Sequence, residues 1–374
     1  MKKLGIYLHI PFCVQKCLYC DFCSFPRCDG ETVSRYVSAL CQDIDRWGDR
    51  CHGRVVDTVY FGGGTPTLLP IAEFKRIISS INKNFSLTED CEISCECNPA
   101  TASFDYFVAL RTAGVNRLSI GLQSTDAEEL RALGRIHSFE DFKSTFADAR
   151  RAGFENISLD LMYGIPRQTL DSFERTLREA VALTPEHISA YGLKVEEGTP
   201  FGRMGESLIL PDEDEEFEMY MLCSEYLGKM GYTKYEISNF SRKGHESRHN
   251  LRYWRSEDYI GLGVSAHSYF DGVRFANSRD IEGYVCGRDI VSERSEIGSD
   301  EQMTEYVMLR MRLAEGVNLV NFEERFGVGF NDIYGERFSR YIDSGYVIKK
   351  DGKIAFSDRG FFLSNYILSD ILDF

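Results

Sequence analysis

Alternation of apolar and amphipathic stretches is the feature that most tightly limits how this chain can fold. Apolar stretches with strand character are predicted at residues 4–10, 55–61, 92–96, 117–121, 156–161 and 187–191, and helical spacing is predicted at residues 31–47, 71–82, 104–113, 139–152 and 170–183. A strand, a helix and a further strand in succession imply a right-handed crossover and parallel neighbours. The sequence therefore predicts a parallel sheet of six strands, either doubly wound or curled into a barrel.

Polar residues follow most of these strands at the end where parallel α/β barrels bind their ligands. In chain order they are Cys13, Cys17 and Cys20, the glycine loop around Gly63, then Glu96, Gln123 and Asp160. Each alone has an ordinary structural explanation, such as a turn cap for Glu96. Together they predict a polar ring, and a binding site, around one mouth of the sheet.

Three cysteines of the twelve form a tight group at Cys13, Cys17 and Cys20. Three thiolates at spacings of four and three can hold zinc, with His9 as a fourth ligand. They can also hold three irons of a [4Fe-4S] cluster and leave the fourth iron without a protein ligand. The spacing matches neither of the common ferredoxin patterns, and the cysteines alone leave both alternatives open.

Composition argues against several classes of protein. A net charge of −15 without a long basic run makes nucleic acid an unfavourable partner. The apolar stretch near the start is interrupted by His9, Pro11 and the cysteines, so neither a signal peptide nor a spanning helix is predicted. Reduced cysteines and the lack of such a signal are typical of a cytoplasmic protein.

Six motifs resemble the coproporphyrinogen-oxidase-like branch of the radical S-adenosylmethionine (SAM) superfamily over essentially the whole chain. They are Tyr-x-His-x-Pro-Phe-Cys at 7–13, which opens Cys-x-x-x-Cys-x-x-Cys, Gly-Gly-Gly-Thr-Pro-Thr at 62–67, Glu-x-Asn-Pro at 96–99, Ser-x-Gly-x-Gln-Ser at 119–124, Gly-Arg at 134–135 and Asp-Leu-Met-Tyr-Gly-x-Pro at 160–166. The resemblance implies a partial parallel (β/α)6 TIM-like barrel, and it favours a [4Fe-4S] cluster that binds SAM at its free iron over zinc. It implies cluster ligation by Cys13, Cys17 and Cys20, and SAM contacts from Tyr7, Gly63, Gly64, Thr65, Glu96, Gln123, Arg135 and Asp160, with Tyr19 beside the adenine.

Two kinds of protein share this branch. One is the oxygen-independent coproporphyrinogen III oxidase, which decarboxylates propionates by radical chemistry, and the other is a haem chaperone that hands haem to clients. The oxidase has a further cysteine where this chain has Phe22, with Cys23 one place later, and a longer segment where this chain has twelve residues before Cys13. Both differences favour the chaperone, without coproporphyrinogen oxidase activity.

A third feature is the motif His-Asn-x-x-Tyr-Trp at 249–254, which resembles the haem chaperones of this branch. The neutral imidazole of His249 can ligate haem iron, and Tyr253 and Trp254 offer flat apolar surface to a porphyrin. His267 and Cys23 remain alternative ligands. The resemblance implies haem and haem-receiving clients as partners, membrane respiratory enzymes among them, and leaves a homodimer open.

Three regions are predicted along the chain: a radical SAM partial barrel at 1–200, a barrel extension with the His-Asn-x-x-Tyr-Trp motif at 201–290, and a C-terminal domain at 291–374. In the last region a capping box at Ser299 and Gln302 predicts a helix to residue 313, and Asn321 with Glu324 predicts a second. A third helix at 330–342 and a hairpin around Asp351-Gly352 complete a winged-helix-like pattern. Because this domain has no basic face, we expect it to dock a partner or to close the barrel mouth.

Overall fold

The computed structural model describes residues 2–26 and 28–372. Its strands are β1 (Lys2–Ile10), β2 (Phe12–Cys13), β3 (Phe25–Pro26), β4 (Arg54–Gly63), β5 (Leu87–Cys97), β6 (Arg117–Gln123), β7 (Ile157–Tyr163), β8 (His187–Gly192), β9 (Thr233–Lys234), β10 (Asn239–Ser241), β11 (Tyr259–Leu262), β12 (His267–Phe270), β13 (Val273–Asn277), β14 (Val291–Glu296), β15 (Val317–Asn318), β16 (Val347–Lys350) and β17 (Lys353–Phe356). Its α-helices are α1 (Gly30–Arg50), α2 (Ile71–Asn84), α3 (Phe104–Thr112), α4 (Ala127–Ala132), α5 (Phe139–Arg151), α6 (Leu170–Ala182), α7 (Pro200–Met204), α8 (Glu213–Lys229), α9 (Arg248–Trp254), α10 (Ile281–Val285), α11 (Ser299–Arg310), α12 (Leu319–Phe326), α13 (Phe330–Asp343), α14 (Asp358–Phe362) and α15 (Ser364–Leu372). Two short 3-10 helices lie at Pro66–Leu68 and Gly205–Ser207.

The six predicted strands are confirmed as β1, β4, β5, β6, β7 and β8. They lie side by side in that order, and every neighbouring pair is parallel. Helices cover the sheet, and all seven residues of β6 are buried. This explains why the strands are nearly continuous apolar stretches rather than alternating ones.

Further strands extend the parallel sheet at both edges. β11 pairs with β1 in the parallel sense, and β12, β13 and β14 then continue as an antiparallel meander. At the other edge β10 pairs antiparallel to β8, followed by β9. The resulting twelve-stranded ladder runs from β14 to β9 without joining its edges within the described residues, as a partial barrel requires.

The predicted crossover helices are confirmed as α1, α2, α3, α5 and α6. Their starts follow from the sequence, since α5 opens with a capping box of Ser138 and Asp141, and α6 with one of Thr169 and Ser172. The short helix α4 was not predicted, and Asp126 caps it. These caps determine the residue at which each of these helices begins after the preceding strand.

The C-terminal region contains the predicted three helices, α11 to α13, and the hairpin of β16 and β17. Asp351 and Gly352 both have positive φ, as a two-residue turn of this kind needs. Both helices are present, but the two predicted capping residues were wrong. Gly298 rather than Ser299 precedes α11 without a side-chain cap, and Asn318 rather than Asn321 caps α12.

The C-terminal domain is joined to the barrel extension by polar contacts. Lys234 of β9 donates hydrogen bonds from Nζ to Asp358 Oδ1 at 2.7 Å and to the Tyr220 hydroxyl at 2.9 Å. Glu236 forms an isolated β-bridge with Leu313. Within residues 2–26 and 28–372, the longest apolar helical stretch falls short of what a bilayer crossing needs.

Candidate functional site

The three predicted metal ligands lie on one short loop at the carboxyl end of β1. Cys13 ends β2, and Cys17 and Cys20 follow it; all three are half-buried free thiols. Leu18, between the last two, donates its amide to Leu133 O at 3.1 Å and accepts the Phe201 amide at 3.1 Å. The loop is therefore held in place by backbone contacts, and the Cys13 thiol lies in hydrogen-bond contact with Thr65 Oγ1 at 3.7 Å.

The donor set fits a cluster with one open corner. Burial raises the pKa of the Cys13 and Cys20 thiols, so a bound metal would be needed to keep them ionised at neutral pH. His9, the fourth ligand that a zinc site would require, is 4% exposed, and Nε2 donates to Cys23 O at 2.8 Å while Nδ1 accepts from the Tyr7 hydroxyl at 3.0 Å. Both ring nitrogens are occupied in this arrangement.

The glycine loop packs tightly against the start of the chain. Gly63 has φ +110°, and a Cβ there would lie 2.5 Å from the His9 ring; a Cβ on Gly64 would lie 2.6 Å from Phe12 O. The amides of Gly63, Gly64 and Thr65 already donate to Glu96 Oε2, Ile10 O and Phe12 O. The glycines therefore allow close packing of the loop, and these three N–H groups are bonded within the protein.

Glu96 is a half-buried carboxylate between two donors. It accepts hydrogen bonds from the Tyr60 hydroxyl at 2.9 Å and from the Gly63 amide at 3.1 Å. Its pKa is raised to about 7: burial and, less strongly, the nearby Asp160 carboxylate raise the pKa, while the hydrogen bonds from Tyr60 and Gly63 and the charge of Arg117 oppose them. A cationic group of a ligand placed here would stabilise the ionised carboxylate.

Arg135 and Gln123 converge beside Gly121. Arg135 Nη1 donates to Asn98 Oδ1 at 2.8 Å, and a Cβ on Gly121 would lie 2.8 Å from Arg135 Nη2 and 3.0 Å from Gln123 Nε2. Arg135 Nε is buried without a hydrogen-bond partner, and among the described residues no carboxylate lies within ion-pair distance of this guanidinium. Arg135 therefore keeps donors free for a carboxylate of a ligand.

Asp160 lies deeper, on β7. It accepts hydrogen bonds from Ser119 Oγ at 3.0 and 3.1 Å and from Ser158 Oγ at 3.4 Å, and burial raises its pKa. Arg117, on the neighbouring strand, is 2% exposed, and its Nε has no hydrogen-bond partner. The guanidinium opposes the burial effect on both Asp160 and Glu96.

Tyr19, the residue predicted beside the adenine, packs in a small apolar cluster near the cysteine loop. That cluster is formed by Leu133, Met162, Ile165, Leu193 and Phe201. The ring therefore lies at the mouth of the sheet, on the side where α7 covers the loop.

His249 lies on α9, at the level of Thr58 in β4 and Glu92 in β5, and of the other predicted site residues it contacts Tyr7. Its Nδ1 is hydrogen-bonded to Thr58 Oγ1 at 2.9 Å and its Nε2 to the Tyr253 hydroxyl at 2.8 Å. Its amide and that of Arg248 donate to the two carboxylate oxygens of Glu92. The ring is fully buried, and burial lowers its pKa to about 3.

The motif at 249–254 therefore forms a floor under the sheet. The His249 ring stacks on Tyr60 with centroids 5.2 Å apart and on Tyr7 at 6.5 Å. Tyr253, predicted to offer a face to a porphyrin, is enclosed between His249 and Tyr259. Neither nitrogen of His249 is free to bind iron while this packing holds.

The alternative haem ligands lie elsewhere. His267 is exposed on β12, and Cys23 is 5% exposed beside the cysteine loop, where burial raises the pKa of its thiol. The structure brings together the three cysteines, Gly63, Gly64, Thr65, Glu96, Gln123, Arg135, Asp160 and Tyr7. His249 lies against Tyr7 at the edge of this group, and His267 lies apart from it.

Sequence reasoning missed three polar residues of this site. Asn98 was within a quoted motif and links Arg135 to Thr65, to whose Oγ1 it donates at 2.7 Å. Tyr60, which donates to Glu96, alternates with buried apolar residues on β4 and gave only a strand signal. Arg117, at the start of a strand, gave no signal.

Comparison with known proteins finds two family models that match parts of the chain and relatives that match nearly all of it. The Radical SAM superfamily matches residues 7–180, and the HemN C-terminal domain matches residues 297–363. Relatives named heme chaperone HemW include those of Bacillus subtilis, at 34% identity over 98% of both chains, and Escherichia coli, at 37% over 93% of this chain and 92% of the relative. The relative from Synechocystis is 37% identical over 85% of this chain and 80% of its own.

One solved structure superposes over nearly the whole chain. The Escherichia coli coproporphyrinogen III oxidase (HemN), described as a radical SAM enzyme, matches with a TM-score of 0.87 and covers 99% of this chain and 90% of its own. At 24% identity this likeness shows a common fold. Fold alone does not assign the reaction.

Proposed function

Because the chain belongs to the radical SAM superfamily and, within it, to the HemW family of heme chaperones, we propose that it binds haem and passes it to client proteins. The observation that carries this proposal is identity above 30% to several such chaperones along nearly the full length of both chains. The His-Asn-x-x-Tyr-Trp motif supports it from the sequence.

Superfamily membership implies a [4Fe-4S] cluster and SAM, and the residues at the mouth of the sheet fit both. Cys13, Cys17 and Cys20 would hold the cluster, which together with SAM supplies one-electron chemistry when bound. Arg135, with donors to spare, would bind the SAM carboxylate. Glu96 would accept a hydrogen bond from the SAM amine.

The deeper polar residues would position the rest of SAM. Gln123 and Asp160 would form hydrogen bonds with the polar edge of the nucleoside. Tyr7 would line the pocket below them. Gly63, Gly64 and Thr65 would form its wall, because the two glycines let the backbone lie close to β1 without side chains of their own.

Of all parts of the proposal, haem ligation requires the largest change in the structure. Ligation by His249 requires its ring to give up Thr58 and Tyr253, and α9 to move away from Glu92. His267 and Cys23 require no such change of the floor. We retain His249 as the proposed ligand, coupled to an opening of α9.

Alanine variants separate these candidates. The Soret band of the haem complex should shift in His249→Ala and stay unchanged in His267→Ala and Cys23→Ala, with SAM affinity measured in all three. Tyr253→Phe is the matched control for His249→Ala, because it removes one hydrogen bond of the floor and leaves the imidazole. Loss of the Soret band in His267→Ala alone would overturn the assignment.

We assign client contact to the C-terminal domain. In this proposal a boundary near residue 200 separates the barrel from its extension, and one near residue 290 separates the extension from the C-terminal domain. Clients would include membrane respiratory enzymes, and the oligomeric state, with a homodimer as one outcome, is open to test. Light scattering of the haem-loaded protein tests the dimer. Deletion of residues 291–374 should leave cluster binding intact and abolish haem transfer to an apo-cytochrome.

One assay decides between the chaperone and the alternative, a coproporphyrinogen III oxidase. Anaerobically reconstituted protein should contain about four irons per chain, and Cys17→Ala should lose them. With SAM and a reductant the protein should bind haem and leave coproporphyrinogen III undecarboxylated. Efficient decarboxylation would establish the oxidase instead.

A further inference from the structure

A cleft on the far side of α1 from the cysteine loop is lined by an unusual set of side chains. It encloses about 320 Å³ between the second half of α1, the ladder of β13 and β14, and the turn after α10. Volumes of this size are typical of small-ligand sites. Neither the cluster nor the proposed SAM residues line it.

Positive charge is concentrated in this cleft. Arg46, Arg50, Arg288 and Arg294 line it, against two aspartates, in a chain whose net charge is −15. Like charges brought together without enough opposite charge repel one another, and this repulsion is relieved by a bound anion.

Two of the four arginines have carboxylate partners. Arg46 Nη2 donates to the buried Asp43 at 3.2 Å, and Arg288 pairs with Asp280 at 3.2 Å. For Arg50 and Arg294 no carboxylate within 4.0 Å is found in residues 2–26 and 28–372. These two guanidiniums are the ones with donors available to a ligand.

An aromatic pair connects the two available arginines. Trp47 and Phe275 stack face to face with centroids 5.5 Å apart and planes 1° apart, and the Arg50 guanidinium lies 4.7 Å from the Trp47 centroid. Arg294 faces Phe275 directly across the β13–β14 ladder. The aromatic wall between them is apolar, with Val291 beside it at the mouth of the cleft.

We propose that this cleft binds a small organic anion through its phosphate or carboxylate groups, with Arg50 and Arg294 as the charge-bearing contacts. A planar guanidinium fork suits both kinds of oxyanion. The apolar wall of Trp47 and Phe275 gives the body of such a ligand a surface to lie on. This site is independent of the proposed haem function.

Isothermal titration at constant ionic strength tests the site, with pyrophosphate as the phosphate probe and citrate as the carboxylate probe. The full-length protein should bind at least one of them, and the double variant Arg50→Gln/Arg294→Gln should weaken that affinity by about tenfold or more. Arg175→Gln, an exposed arginine of α6, is the matched control and should bind as the wild type does. Binding of pyrophosphate alone assigns a phosphate ligand, and binding of citrate alone assigns a carboxylate.

Trp47 reports the location of binding. The bound probe should change tryptophan emission in the wild type, and the change should disappear in Trp47→Phe, since the only other tryptophan is Trp254 on α9. If neither probe binds, or if the double variant binds as tightly as the wild type with an unchanged circular dichroism spectrum, the proposal is wrong.

Discussion

Arg252 is the side chain that fastens α9, and with it the floor, to the rest of the protein. Its Nη2 pairs with the buried Asp57, its Nη1 donates to Asp258 O at 3.2 Å, and the side chain is 3% exposed. It also crosses β1 so closely that a Cβ on Gly5 would lie 2.5 Å from Arg252 Cδ. We predict that Arg252→Met destabilises the protein and loosens α9 in particular.

The size of the effect follows from what the substitution leaves behind. Methionine keeps the apolar stem over Gly5 but leaves Asp57 buried, and breaking one half of a buried ion pair costs about 3–5 kcal/mol. Asp57 retains Lys3 at 3.3 Å and Arg248 at 3.8 Å, so we expect the lower end, about 3 kcal/mol. The double variant with Asp57→Asn should lose less than the two single variants added together.

Urea denaturation followed by circular dichroism gives the global effect, and hydrogen exchange gives the local one. The His249 amide, which donates to Glu92, should exchange faster in Arg252→Met. Arg255→Met is the control: this arginine is 36% exposed with Glu315 at 3.3 Å, and its loss should cost less than about 1 kcal/mol. Equal losses in Arg252→Met and Arg255→Met would refute the argument.

Three further predictions concern protonation, domain contact and ligand binding. Burial, with help from Arg135, lowers the pKa of His137 to about 4. The free energy of unfolding should therefore be highest above pH 6.5, where His137 is neutral in both the folded and unfolded states, and should fall by about 2 kcal/mol at pH 5. His137→Gln should flatten this loss between pH 7 and pH 5, and an unchanged slope would contradict the prediction. Lys234→Met should lower the free energy of unfolding by about 2 kcal/mol, because it removes the ion pair with Asp358. It should also raise the rate of limited proteolysis in the C-terminal domain, and a rate equal to that of the wild type would count against this prediction. Glu96→Gln should weaken SAM binding by about tenfold with iron content unchanged, and loss of iron would show a structural role instead.

Most of the mouth of the sheet could be predicted because parallel strands place their carboxyl ends at one edge. Glu96, Gln123 and Asp160 end or follow predicted strands, and the strand order brings them together whatever the details of the helices. The positive φ of Gln123 and the approach of Arg135 to Gly121 could not be predicted, because both depend on packing between strands.

The packing of α9 at the floor of the sheet could not be predicted from the sequence, for the same physical reason. His249 contacts Thr58 and Glu92, which lie far away in the chain, and no local pattern indicates such contacts. The capping errors in the C-terminal domain are of a smaller kind. Asn318 and Asn321 are both good capping residues, and the pairing of β15 with β17 decides between them.

The floor and the mouth are linked through Tyr60 and Tyr7, and the Tyr60 link decides how haem-binding experiments must be interpreted. Tyr60 stacks on His249 and donates its hydroxyl to Glu96, so a change at His249 reaches the Glu96 carboxylate, the proposed acceptor for the SAM amine, through this ring. Loss of haem in His249→Ala is therefore not by itself proof of ligation, since a displaced Tyr60 would produce it indirectly. Tyr60→Phe separates the two routes, because it keeps the stacking and removes the hydrogen bond to Glu96. If His249 ligates iron, Tyr60→Phe should keep the haem spectrum and change only SAM affinity.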